Sequence, residues 1–302
     1  MHPAPSIIVF TVLSGLGLGM IALIGFGFGQ GHLFGWVSVP LALAITGLGG
    51  AASAGHLGRP DRAWRAFSQW RSSWLSREAC LMVATMAVFF VYACLWLLAD
   101  LRLALLGYVA GALAIWTVYC TAMIYAQLRT VPRWSATPTP ALFVALSFTG
   151  GLLAVSVASV LAGGRPMIWL SILAIVAGAV VAVWWQTQAA GARRGFHGAS
   201  MESATGLSLL GRVRLLEPPH TGSNYLLREM AYTVGRDRAF QLRRIGALAG
   251  FVVPLVLCLL AAILGGWLLI FALISHLAGM LALRWLFFAE AEHVQAFYYG
   301  KT

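Results

Sequence analysis

The sequence predicts an all-α polytopic membrane protein with eight transmembrane helices. Hydrophobic residues make up 60% of the 302-residue chain, and the mean hydropathy is +0.85. Apolar runs long enough to cross ~30 Å of hydrocarbon recur throughout. They fall at 6–29, 33–55, 79–99, 103–127, 140–162, 167–188, 245–265 and 267–289. Backbone polar groups in lipid are satisfied only by helices or closed barrels. These runs are continuous rather than alternating, so helices are expected.

The first run starts a few residues after Met1 and has no basic stretch before it. It reads as a retained span rather than a cleavable signal peptide. The separation of the last two runs rests on Gly265-Gly266, a pair that breaks helices. Residues 1–302 then form a single integral membrane domain. The two long polar connectors, 56–77 and 189–244, follow the second and sixth spans. These places are equivalent in a four-plus-four arrangement, a hint of two four-helix bundles. The four cysteines, Cys80, Cys94, Cys120 and Cys258, all lie in expected spans without a CxxC pair. They read as packing thiols, and no metal is expected in this chain.

Charge is distributed unequally. Eight spans place both termini and the 2–3, 4–5 and 6–7 connectors on one side. That side carries 17 Lys and Arg: five in 56–77, two in 128–139, nine in 189–244, and Lys301. The other side has Arg102 and Arg165 alone. The positive-inside rule then puts both termini in the cytoplasm. Basic residues spread over short loops argue against nucleic acid and suit anionic lipid headgroups or an acidic partner protein.

Residues 56–78 put His56, five arginines and Glu78 at one bilayer edge, in a chain with 10% charged residues. This concentration suits a lipid-soluble molecule with a polar head, such as a quinone. The simpler reading is a basic loop that only fixes topology. Over 61–74, helical spacing would put Trp64, Phe67, Trp70 and Trp74 on one face and arginines on another, as in an interfacial helix. A quinone needs hydrogen-bond donors at its carbonyl oxygens and a proton route. Histidine and glutamate supply both, which makes His56 and Glu78 the catalytic candidates. Each has a structural alternative: His56 bonded to a carbonyl at a helix end, and Glu78 paired with Arg77 or Arg71.

Arg59, Arg62, Arg71, Trp74 and Tyr125 complete the candidate quinone-binding set, because the fourth run ends at the same edge. Arg65, Arg77, Arg129, Arg133, Arg236 and Arg238 are candidates for docking partner subunits. In the last run, Arg284 is close enough to its end to snorkel, and His276 reads as a satisfied packing residue. Bis-histidine haem ligation needs a facing pair at one depth. His276 has no evident partner, so no haem is expected. A transporter would instead need polar groups at the midplane and interrupted helices.

Several segments together resemble the DMSO reductase anchor-subunit (DmsC) family. They are Met1-His-Pro-Ala-Pro-Ser6, His56-Leu-Gly-Arg-Pro60, Arg62-Ala-Trp-Arg-Ala66, Ser73-Trp-Leu-Ser-Arg-Glu78 and the run from Met123 to Trp134. The resemblance extends over essentially the whole chain. It implies an anchor for two partners, a molybdopterin catalytic subunit and an iron–sulfur subunit, exchanging electrons with ubiquinone or menaquinone and holding no haem. It also implies that His56 and Glu78 belong to the quinone site. The expected cytoplasmic placement of that edge, and the N-terminal segment, are more similar to the branch containing sulfite-oxidising SoeABC complexes than to exported DMSO reductases.

Overall fold

The computed structural model describes residues 4–55, 59–194, 201–214, 216–217 and 239–294. Among them there is no strand, and eight helices are long and apolar enough to cross a membrane. In chain order these are α1 Pro5–Gly25, α2 His32–Ala54, α3 Trp74–Ala99 and α4 Ala104–Ala126. They continue with α5 Thr139–Leu161, α6 Ile168–Arg194, α7 Ala239–Leu264 and α8 Leu268–Ala289. The expected boundary between α7 and α8 is present: Gly265 stops α7 with φ of 119°, a conformation open to glycine. The largest departure that matters for function is at α3. It begins at Trp74, so Glu78 lies inside the helix rather than ahead of it. Ser73 caps that start, accepting from the Ser76 N–H at 3.4 Å.

The connectors meet on alternate faces, as an up-and-down chain requires. On one face Arg102 donates to the Tyr92 hydroxyl at 2.9 Å and to the Gly29 carbonyl at 3.0 Å, tying the 3–4 connector to the 1–2 turn. On the opposite, arginine-rich face the Val294 N–H donates to the Thr130 carbonyl at 2.9 Å. Helices α1 and α5 are the most buried and form the centre, whereas α6 and α7 present most of their surface outward. Lipid offers no hydrophobic drive between helices, so close backbone packing by small residues does that work. Gly19 on α1 meets Gly151 on α5, Gly25 meets Gly107 on α4, and Gly250 meets Gly279 where α7 crosses α8.

The α7–α8 crossing explains His276. Pro254 has no N–H and crowds the carbonyl one turn back, and Leu248–Val252 form a π-helical turn just before it. Two carbonyls are left for outside donors. His276 Nδ1 donates to Gly250 O at 2.7 Å, and Ser275 Oγ donates to Ala249 O at 2.9 Å. His276 is 1% exposed, so this carbonyl has no access to water. His276→Leu should therefore destabilise the chain by about 1–2 kcal/mol, read as a lower Tm in detergent. His276→Gln, which keeps a donor, should lose less.

Candidate functional site at the arginine-rich face

Between α2 and α3 the chain runs through a 3₁₀ helix, Pro60–Phe67, where an interfacial α-helix over 61–74 is the sequence expectation. Pro60 suits its first turn. Trp64, Phe67 and Trp70 are exposed, as aromatics at a membrane interface commonly are. Arg77 fixes the return of this segment onto α3. It donates to the carbonyls of Trp70 at 2.9 Å and Arg71 at 2.7 Å, and stacks 4.3 Å from the Trp74 ring.

Under this segment is a cavity of about 630 Å³. Its mouth carries Arg59, Arg62, Arg65 and Gln69; its walls include Phe10, Phe67, Met82 and Val83; and Glu78 lies within it. This volume and the few convergent polar groups match a small-molecule site. An arginine mouth at the headgroup level, above apolar walls, suits an amphiphile with oxygen acceptors in its head.

Glu78 is 5% exposed. The Thr121 hydroxyl, from α4, bonds its Oε1. No cation pairs with Glu78 among the described residues, so the ion-pair alternative with Arg77 or Arg71 is not what the structure shows. The choice of a hydroxyl has a chemical consequence. Thr121 Oγ also lies 3.1 Å from the Thr117 carbonyl. A hydroxyl has one proton to donate and two lone pairs. Facing a carboxylate, Thr121 donates to Glu78. Facing a carboxylic acid, it accepts from Glu78 and turns its own proton to Thr117 O. Glu78 is thus satisfied in both protonation states, which an arginine partner would not allow. One turn deeper, Thr85 and Thr117 continue this hydroxyl contact between α3 and α4, at 3.1 Å.

Arg59, Arg62 and Glu78 of the candidate quinone-binding set meet in this cavity. Arg59 Nε also bonds Asp61 at 3.2 Å. Arg65, a docking candidate, lines the same mouth. Arg71 and Trp74 are adjacent but not in the wall: Arg71 stacks 5.2 Å from Trp70, and Trp74 packs edge-on against Tyr119 at 6.0 Å. Tyr125 is elsewhere, buried among Trp134, Phe143, Phe287 and Phe288. His56, Arg236 and Arg238 lie outside the described residues.

Two expectations need correction. Arg133 is not a surface docking cation: its side chain is 7% exposed, paired with Glu290, and bonded to Gln186 at 2.9 Å. Arg284 does not snorkel: it is 5% exposed and lies 3.5 Å over the Phe143 ring. Arg77, used internally, projects less than Arg129, which remains exposed on the 4–5 turn. Sequence reasoning passed over Gln69, Ser73, Ser76 and Phe10 in the wall. The first three lie in the same polar segment and could have been included, whereas Phe10 gives no signal within an apolar run. Among the described residues no group of three or more His, Cys, Asp or Glu is placed to hold a metal.

Comparison with known proteins bears on this arrangement. The profile of the DMSO reductase anchor subunit (DmsC) family matches residues 1–204, which contain α1 to α6 and the whole cavity. The chain belongs to this family. A sulfite dehydrogenase subunit of Allochromatium vinosum is 33% identical over 328 positions, covering 99% of this chain and 99% of that protein. Anaerobic dimethyl sulfoxide reductase chain YnfH of Escherichia coli is 29% identical over 203 residues, covering 59% of this chain and 66% of YnfH. No solved structure matches. This DmsC-family chain is accordingly a membrane anchor subunit of a DMSO-reductase-like complex, and its cavity lies in the part that the family shares.

Proposed function

We propose that this chain is the quinone-reactive anchor of a molybdopterin oxidoreductase, and that it passes electrons from sulfite oxidation to the quinone pool. The observation that carries the quinone reading is Glu78, buried in an apolar cavity with an arginine mouth and bonded to a hydroxyl indifferent to its protonation. The sulfite branch draws on the near full-length similarity to a protein named as part of a sulfite dehydrogenase.

In this reading sulfite and water give sulfate, two electrons and two protons in a molybdopterin partner. The electrons cross an iron–sulfur partner docked on the arginine-rich face, which faces the cytoplasm of the inner membrane. Reduction of a quinone to quinol then takes two electrons and two protons. Arg59 and Arg62 hold the head oxygens near the mouth, Phe10 and Met82 exclude water, and Glu78 delivers a proton, with His56 assigned the second proton role on its sequence position. The alternative within the family, an anchor drawing electrons from quinol for a DMSO-type reductase, has the shorter match to YnfH behind it.

Gentle-detergent isolation of the chain from native membranes tests the reading. Co-purification of a molybdenum subunit and an iron–sulfur subunit, with sulfite:quinone activity, is expected. A metal-bearing complex inactive on sulfite discards the sulfite branch, and a chain that purifies without partners overturns the reading. Within an active complex, Thr121→Val should lower quinone turnover about tenfold by leaving the carboxylate without its donor. Thr121→Ser should keep most of it, as steady-state quinone reduction will read.

A further inference from the structure

A second cavity, of about 390 Å³, opens on the same face among α5, α6, α7 and α8. Four spans return the chain to its starting face, so α5–α8 repeat the up-and-down order of α1–α4. The second cavity occupies the matching place. It takes the first turns of α5, the first half of α7, the last turns of α8 and α6 from Ala179 to Gln186, as the first takes the beginnings of α1 and α3 and the end of α2, without α4. Its chemistry is different. The walls are Leu146, Ala182, Val183, Phe251, Leu283 and Phe287, the polar lining is Gln186, Arg243 and Arg284, and among the described residues no carboxylate lines it.

One arginine of this lining has no counter-charge among the described residues. Glu290 is shared between Arg133 and Arg243. Arg284 has no carboxylate within ion-pair distance among the described residues, and its Nη1 has no hydrogen-bond partner. Its contact with the Phe143 ring, at 3.5 Å, offsets only part of the charge. A guanidinium in the membrane interior carries a large desolvation penalty unless an anion or a polar cavity meets it. Apolar walls of this extent do not hold water well. Hydrocarbon and negative charge are therefore needed together. Arg243, in the second turn of α7, has a side chain 43% exposed, with one arm on Glu290. It can reach an oxygen anion without leaving its place.

We propose that this cavity is a binding site for one anionic phospholipid, an acyl chain lying between α6 and α7 and the phosphodiester held at Arg243 in the field of Arg284. A quinone would fill the walls but brings no charge, so the unpaired arginine favours the phospholipid. Bound there, the lipid joins α6 to α7 and α8 where the helices stand apart.

The test uses the intact complex with its partner subunits. After washing in detergent supplemented with phosphatidylcholine, native mass spectrometry and lipid extraction should find one anionic phospholipid per copy of this chain. Add-back to delipidated complex should show phosphatidylglycerol binding about tenfold tighter than phosphatidylcholine, a preference that Arg243→Gln removes. Ala182→Phe, which fills the cavity, should abolish retention. The add-back series uses the unaltered protein and stands even where a variant fails to assemble. Equal binding of the two lipids, recovery of a quinone in place of the phospholipid, or retention unaffected by Ala182→Phe overturns the proposal.

Discussion

Glu78→Gln should lower sulfite-dependent quinone reduction by the assembled complex about 100-fold, at the lower end of what a positioned proton donor contributes. Sulfite oxidation with a soluble artificial acceptor should stay within about twofold of normal, because that assay bypasses the membrane site. The substitution is chosen to leave the fold alone. Glutamine has the same length as glutamate, and its amide oxygen still accepts from Thr121, so the contact between α3 and α4 is retained. What disappears is the proton that Glu78 can take up and give. Glu78→Asp should fall between the two, since it keeps the acid but withdraws it from the cavity by one methylene. Equal loss of both activities in Glu78→Gln would assign Glu78 a role in assembly instead and would sink the quinone reading. Arg65→Gln is the useful companion. Arg65 lines the mouth, is exposed, and stacks 5.6 Å over Trp64. A change in apparent quinone affinity without a change in maximal rate would assign it to the head, and weaker retention of the partner subunits would assign it to docking.

The span architecture was legible because hydropathy is a one-dimensional property. A run that crosses hydrocarbon is apolar wherever its neighbours lie, so all eight spans and the Gly265-Gly266 break could be read from order alone. The site was legible only as far as an unusual residue type revealed it. Glu78 and the arginines of 56–77 stand out in a chain with so few charges. Thr121 does not, because its role follows from the rotation of α4 against α3, which no local pattern encodes. Arg129 and Arg133 lie on one short connector and read alike. One is exposed, while the other turns inward to a glutamate 157 positions along the chain. Tyr125 shares the depth of the candidate site but points to a different face of α4, into an aromatic cluster with α5 and α8. The π-helical turn of α7 was not anticipated; Pro254 is its local signal, but the use of His276 as a carbonyl cap could be seen only once α8 was placed beside it.

The largest stability effect should come from the centre of the bundle, and two glycines one turn apart distinguish its cause. A Cβ at Gly19 would stand against the Ser147 carbonyl oxygen, far inside contact distance, and a Cβ at Gly151 would lie 2.5 Å from the Gly19 carbonyl carbon. Both neighbours are backbone of a buried helix, so relief requires α1 and α5 to separate along their length. Interiors are too close-packed to absorb such a shift locally. Gly19→Leu should therefore destabilise the chain by at least about 3 kcal/mol and leave little of it in the membrane. At Gly15 the nearest atom to a new Cβ is Ser147 Oγ at 2.9 Å, the end of a side chain that can rotate away. Gly15→Ala should thus approach neutrality, the higher helix propensity of alanine offsetting a small readjustment. Gly191→Ala, with nothing near its Cβ, controls for propensity alone. Membrane abundance of a fluorescent C-terminal fusion, together with Tm in detergent, measures the series. A Gly15→Ala loss as large as that of Gly19→Ala would show that any added volume between α1 and α5 is excluded. A loss confined to Gly19 and Gly151 would locate the constraint in the backbone contact itself, the point about which the two halves of the bundle are joined.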